Sequence, residues 1–166
     1  MNVLKDLLRI KKFREDKAEL DLARARQNLA EADSKLKIAR KELRDFEIAC
    51  ERKERELFDD LCQRLVLLKD LDAVALEVEL MKEQKLAYES RISEAQQLRH
   101  AASEAVEQAK LIHREAVRMR EKFSELLEAF NATLFVEVQR LEDLEMEEVS
   151  ASRHEQNRKN AMAERA

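Results

Sequence analysis

None of the 166 residues is a glycine or a proline. Strand-and-turn folds use those two residues as punctuation, Gly for positive φ and Pro for a fixed one. A chain without either is poorly suited to an all-β or α/β domain. Ala, Leu, Glu, Lys and Arg are the strongest helix formers, and a chain rich in them has the composition of long helices and coiled coils. Charged residues make up 41% of it and hydrophobic residues 45%. Charge at that level is compatible with disorder, but the hydrophobic content is too high for a disordered chain and too regularly spaced.

The net charge of -4 implies no general attraction to nucleic acid. No segment approaches the roughly 20 consecutive apolar residues of a membrane span. The opening "MNVLKDLLRIKKFRED" mixes charge with apolar residues from its start, unlike a secretory signal peptide. A soluble intracellular protein is expected. Cys50 and Cys62 fall on one helix, where twelve steps separate them by roughly 18 Å. A disulfide needs Cα atoms within roughly 7 Å, so both are expected to be reduced, small core residues.

From Leu22 the apolar residues recur at Ala25, Leu29, Ala32, Leu36, Ala39, Leu43, Phe46 and Cys50, in alternating steps of three and four. Lys53 interrupts the series and Leu57 resumes it. This is the seam of a heptad coiled coil. A second series runs Ala95, Leu98, Ala102, Ala105, Ala109, Ile112, Ala116, Met119, Phe123, Leu126 and Phe130. After Phe130 its phase slips by one, and Leu134, Val138 and Leu141 continue it. A lone amphipathic helix buries nothing, so each seam needs a partner. The tethered solution is an antiparallel hairpin within the chain.

The hairpin needs a turn between Leu57 and Ala95, where the densest apolar stretch, "RLVLLKDLDAVALEVELM", also lies. Without Gly to cap the first helix, Asp70 and Asp72 are the best available N-caps, with Glu77 and Glu79 near the positive end of the second helix. The expected fold is therefore all-α, a long antiparallel two-helix coiled-coil hairpin with its turn near residues 69–72. The chain is read as one domain over 1–166, with a first helix over about 3–68, a second over about 72–155 and a frayed tail over 156–166. A single bent helix and a third short helix at the tip are the alternatives. With that turn, facing residue numbers total roughly 142. The basic Lys5, Arg9, Lys11, Lys12 and Arg14 then lie near the acidic Glu137, Glu142, Asp143, Glu145, Glu147 and Glu148. A helix of about 65 residues is roughly 100 Å long, so a rod is expected, with the termini at one end and the apolar tip at the other.

Catalysis needs a concave pocket with convergent groups, and two helices supply none. His100, His113 and His154 are dispersed and read as solvated helix residues. A Gly-rich phosphate loop is excluded by composition. No catalytic residue, metal ligand or cofactor is expected. Four features exceed a bare coiled coil. The opening "VLKDLLRIKKFRE" has an apolar face, formed by Val3, Leu4, Leu7, Leu8 and Ile10, wider than a seam needs. It is either a docking end or a thickened terminus. The apolar tip is either an interaction site or a local core. Phe123, Phe130 and Phe135 are spaced as core residues. The tail "ASRHEQNRKNAMAERA" lacks a seam.

The start "LLRIKKFREDKAELDLARAR" resembles the N-terminus of the YscO/FliJ family of type III secretion proteins. "RELFDDL", with Arg55, Leu57 and Phe58, resembles the late first-helix segment of YscO-type members, and "KFSELLEAFN" a stretch late in their second helix. The resemblance spans nearly the whole chain. It implies a central stalk of the type III export ATPase, in the bacterial cytoplasm at the inner-membrane secretion apparatus. The paired terminal ends would enter the hexameric ATPase ring through Leu4, Leu7, Leu8, Ile10, Lys11, Lys12 and Arg14. The other end would reach the cytoplasmic ring of the export gate through Leu76, Leu80, Met81 and Ala87. Those four match flagellar members by position only, since the aromatic residues of that region are largely missing, which favours an injectisome protein. Escort chaperones are further partners that the resemblance implies. Without an ATPase partner, the same chain would be a structural coiled coil or a secretion chaperone.

Overall fold

The computed structural model describes residues 3–163. It contains two helices, α1 over Val3–Gln63 and α2 over Leu68–Ala163, of 61 and 96 residues. They pack against each other antiparallel, and the described residues include no strand. The chain divides into two units. One takes in the described residues up to Glu15 together with those from Glu115 onward, and the other is Asp16–Arg114.

The turn lies at residues 64–67, earlier than the expected 69–72. α1 therefore stops at Gln63 rather than about 68, and α2 begins at Leu68 rather than about 72. Asp70 does cap α2, but from inside it. Its Oδ2 accepts the backbone N–H of Leu67 at 3.0 Å, while its own N–H donates to the Leu67 carbonyl at 2.9 Å. Leu67 is thus the N-cap residue, and Asp70 is the third helical residue reaching back, which is one half of a capping box. A carboxylate can satisfy a free N–H from either position, and the difference moves the boundary by three residues. Arg64 joins the two helix ends, pairing with Asp60 at 3.0 Å and Asp70 at 3.9 Å. No described residue has positive φ, so this turn has no position that calls for Gly. At its other end α2 stays helical through residues 156–163, expected as frayed.

In the unit Asp16–Arg114, the seam of α1 matches the expectation residue by residue. Leu22, Ala25, Leu29, Ala32, Leu36, Ala39, Leu43, Phe46 and Cys50 are all buried or half-buried. Lys53 is exposed and reaches Glu77 on α2 at 3.9 Å, after which half-buried Leu57 resumes the seam. The buried residues among those described are Ala18, Leu22, Ala32, Leu36 and Val106. Two helices cannot surround a side chain, so most seam residues stay half-buried and forgo part of the about 1.5–3 kcal/mol of a fully enclosed Leu or Val.

The seam of α2 differs from the expectation in one of its two columns. Ala95, Ala102 and Ala109 face α1, but Leu98, Ala105 and Ile112 are exposed, and Val106 and His113 take the inner positions. Both columns lie beside the alanines, and the apolar count favours the wrong one. Charge decides for the other, because Arg99 in that column donates Nε to Asp33 Oδ1. Lys85 adds a second cross-helix pair, to Glu47 at 2.9 Å. These pairs also reset the register. Asp33 meets Arg99 rather than a residue near 109, as follows from the earlier turn.

In the unit that carries the termini, Leu4, Leu8, Lys11 and Glu15 on α1 are half-buried, as are Ala116, Met119, Arg120, Phe123 and Leu127 on α2. Glu15 accepts from Arg120 Nε at 2.7 Å, and Lys11 Nζ lies 5.0 Å from the centroid of the Phe123 ring. Polar residues thus occupy two successive seam positions, each with its own counterpart. Beyond Leu127 every described residue of α2 is exposed. Counting back from Glu15 opposite Arg120, Val3 stands level with about residue 132, so α2 overhangs the start of α1 by about 45 Å. The basic opening accordingly does not face Glu137 to Glu148, and the expected pairing of these charges within one chain is absent.

Two tests follow from this geometry. With Cys50 and Cys62 replaced by Ser, cysteines at Ala32 and Ala102, which line one groove, form a cross-link within the chain under mild oxidation. Cysteines at Leu36 and Ala105, paired in the later register, do not. Asp70→Ala lowers unfolding free energy by about 1 kcal/mol, the usual scale for a lost cap, measured by urea titration followed by circular dichroism.

Candidate functional site

The described residues hold no group of His, Cys, Asp and Glu suited to a metal ion, and no helix among them is long and apolar enough to cross a membrane. His100 and His154 are exposed, whereas His113 sits half-buried on the inner face of α2. Cys50 is half-buried and Cys62 exposed, and both are free thiols. Cys62 is therefore not the core residue expected. Burial, with the Glu54 carboxylate, pushes the Cys50 thiol up, away from the thiolate that nucleophilic chemistry needs. The groove beside it is lined by Phe46, Glu47, Glu51, Glu54, Met81, Lys82 and Lys85. The hydrogen bond from Lys85 to Glu47, then their charge attraction, holds the ammonium above its ordinary value. Only Lys85 and Glu47 of these charges pair across the helices, while Lys82 and Glu51 pair along their own helices with Glu79 and Arg55.

The surfaces that remain are apolar strips. At the opening, the seven residues singled out from the sequence separate into two sets. Leu4, Leu8 and Lys11 turn toward α2, while Leu7, Ile10, Lys12 and Arg14 are exposed. Val3, Leu7, Ile10 and Arg14 each precede an inward position by one residue, so they line one side of the helix pair. Leu126 stands in the same relation to Leu127 on α2. In an antiparallel pair these two flanks share a side. The analogous flank of the other unit shows this directly, where Glu31 and Lys35 of α1 line one groove with Leu98 of α2.

At the turn, Leu65 is 100% exposed, and Leu67, Leu68 and Leu71 are at least half exposed. Val74, Val78 and Met81, spaced by four and three, are half-buried and face α1. Leu76, Leu80 and Ala87 point away from it and are exposed. Of the four positions assigned to the gate, three are therefore open and Met81 serves the helix interface. Of the aromatic residues spaced as core, Phe123 is half-buried, while Phe130 and Phe135 are exposed.

Two surfaces escaped the sequence reading. The column Leu98, Ala105 and Ile112, interior by its spacing, is an exposed strip. The overhang of α2 presents Leu134, Val138, Leu141 and Leu144 with no α1 residue opposite, and Phe130, exposed beside the first turn of α1, leads into it. The slip in phase after Phe130 was the signal available for the second, since it falls where α1 begins.

The described residues thus form an all-α antiparallel helical hairpin with apolar strips exposed along it. The chain belongs to the YscO family of type III secretion proteins, whose model, described as type III secretion protein YscO, matches residues 4–152. It is similar to the crystal structure of the type III secretion protein YscO from Vibrio parahaemolyticus, with 27% identity and a TM-score of 0.80. That likeness covers 88% of this chain and 92% of the other. No curated protein matches the chain.

The different placement of neighbouring residues at the tip gives a stability test. Leu76→Asp with Leu80→Asp changes unfolding free energy by less than about 0.5 kcal/mol, as exposed substitutions do. Val78→Asp, which puts a charge against α1, costs about 2 kcal/mol or more. Thermal melts of the variants compare the two.

Proposed function

We propose that this chain is the central stalk of a type III export ATPase, coupling the hexameric ring to the export gate. The observation that carries the reading is the opening of α1 in a chain of the YscO family. Leu7, Ile10 and Arg14 form an exposed apolar and basic strip on one flank of α1, Lys12 adds a base on the other, and Leu4, Leu8 and Lys11 between them are held against α2. Such a strip suits a ring lined by apolar and acidic groups. The inward-facing set orders the strip, and the exposed set makes the contact.

The gate contact is assigned to Leu76, Leu80 and Ala87, with Met81 fixing their helix against α1. Exposed leucines of this density on one turn mark a surface that a partner covers. The chain acts without catalysis or cofactor of its own, in the cytoplasm at the inner face of the membrane that holds the apparatus. An asymmetric hairpin in a symmetric ring stabilises some subunit arrangements over others, and that difference in free energy is the coupling. Escort chaperones are additional partners in this reading.

Co-purification with the ATPase, followed by ATP hydrolysis with and without the chain, tests the stalk reading. Lys12→Glu with Arg14→Glu is expected to abolish stimulation while helicity and melting stay unchanged, because both side chains are exposed. Undiminished stimulation places the docking surface elsewhere. Binding to the purified gate ring is lost in the Leu76→Asp and Leu80→Asp variant, whose fold the melting test establishes independently.

A further inference from the structure

The overhang of α2 continues the seam that α1 covers, but α1 ends before reaching it. Helical spacing gathers Phe130, Leu134, Val138, Leu141 and Leu144 on one exposed arc. Glu137, Glu145 and Glu148 fall inside that arc rather than opposite it. A carboxylate within an apolar face disfavours burial unless a base meets it. The occupant of this face must therefore offer apolar side chains with cations set among them.

The same unit contains such a surface. Val3, Leu7 and Ile10 of α1 and Leu126 of α2 line one side of the helix pair, and Arg14 and Lys122 lie on the same two flanks. Within one chain the acidic overhang and this groove cannot meet, because α2 is a continuous helix leading away from it. Both surfaces are exposed, complementary in charge, and present once per chain.

We propose that two copies of this chain associate through a reciprocal exchange of overhangs, each laying its Phe130–Leu144 arc in the groove of the other. A two-fold axis near Leu134 generates the arrangement. It sets residues 137–148 of one copy beside residues 3–14 of the other, given that Glu15 stands opposite Arg120. The two acidic stretches then lie at different levels and do not oppose each other. Such a contact is isologous and closes after two copies. It goes beyond the stalk reading and competes with it for Arg14, so the pair is a form of the protein that is not engaged with a ring.

Light scattering of the full chain in the absence of other proteins tests the proposal. A mass of twice 19.5 kDa is expected at low salt, with the fraction of pairs falling as salt rises. Arg14→Glu with Lys122→Glu yields single chains, as does Glu137→Lys with Glu145→Lys. An equimolar mixture of these two variants restores the doubled mass, since each groove again meets an overhang of opposite charge. All four side chains are in exposed positions, and circular dichroism verifies that helicity is unchanged. A wild-type chain that stays at 19.5 kDa overturns the proposal, as does a pair indifferent to both reversals, or a mixture that fails to reassociate. Because no ATPase is present, the result is independent of the stimulation assay.

Discussion

The helix pair depends on a few charges that fix which residues meet. Asp33 with Arg99, Glu47 with Lys85, and Glu15 with Arg120 each cross from one helix to the other. As exposed or half-exposed pairs they add under about 1 kcal/mol apiece, so their importance is in exclusion. An alanine-rich seam repeats every seven residues and would tolerate a slip by one heptad. Such a slip sets Asp33 against Ile92 or Val106 and Glu47 against Val78 or Ile92, leaving acids beside apolar side chains without their bases. Polar residues near a seam specify register in this way at some expense of stability.

The two units use this device differently. Around Leu22, Ala32, Leu36 and Val106 the interface is apolar and the charges lie at its margins. Near the termini Lys11 and Glu15 stand in the seam itself, with Phe123 and Arg120 as their counterparts. Burial is shallower there, and the seam positions carry charge. An interface of that kind leaves more surface open to other proteins, and exposed apolar residues such as Val3, Ile10, Phe13 and Leu126 adjoin it.

Much of the architecture was legible in the sequence because it rests on periodicity. The nine residues from Leu22 to Cys50 report their inward placement through spacing alone. The column of Val106 was not legible, since Arg99, His113 and Arg120 interrupt it and the neighbouring column of Leu98 and Ile112 is more apolar. Only the positions of Asp33 and Glu15 on the other helix reveal that the interrupted column is the inner one. The turn was misplaced for a related reason. Asp70 and Asp72 are both candidate caps by sequence, and a carboxylate serves from the N-cap or from three residues inside, which the sequence does not distinguish. The division of the opening residues into inward and outward sets needed the register as well. The exposure of Leu76 and Leu80 did not, because too many apolar residues crowd that turn for two helices to cover.

The turn at residues 64–67 makes its connection without a positive φ, and neither heptad series runs through it. A residue inserted within either helix rotates every later side chain by about 100° relative to the seam. It would thus unpair the charges and expose the buried column beyond it. An insertion between Arg64 and Leu67 rotates nothing, because the second helix restarts its own phase at its cap. Within this family, changes in chain length are therefore expected to collect at the turn or in multiples of seven along the helices. Such a pattern of gaps would be a record of the register itself.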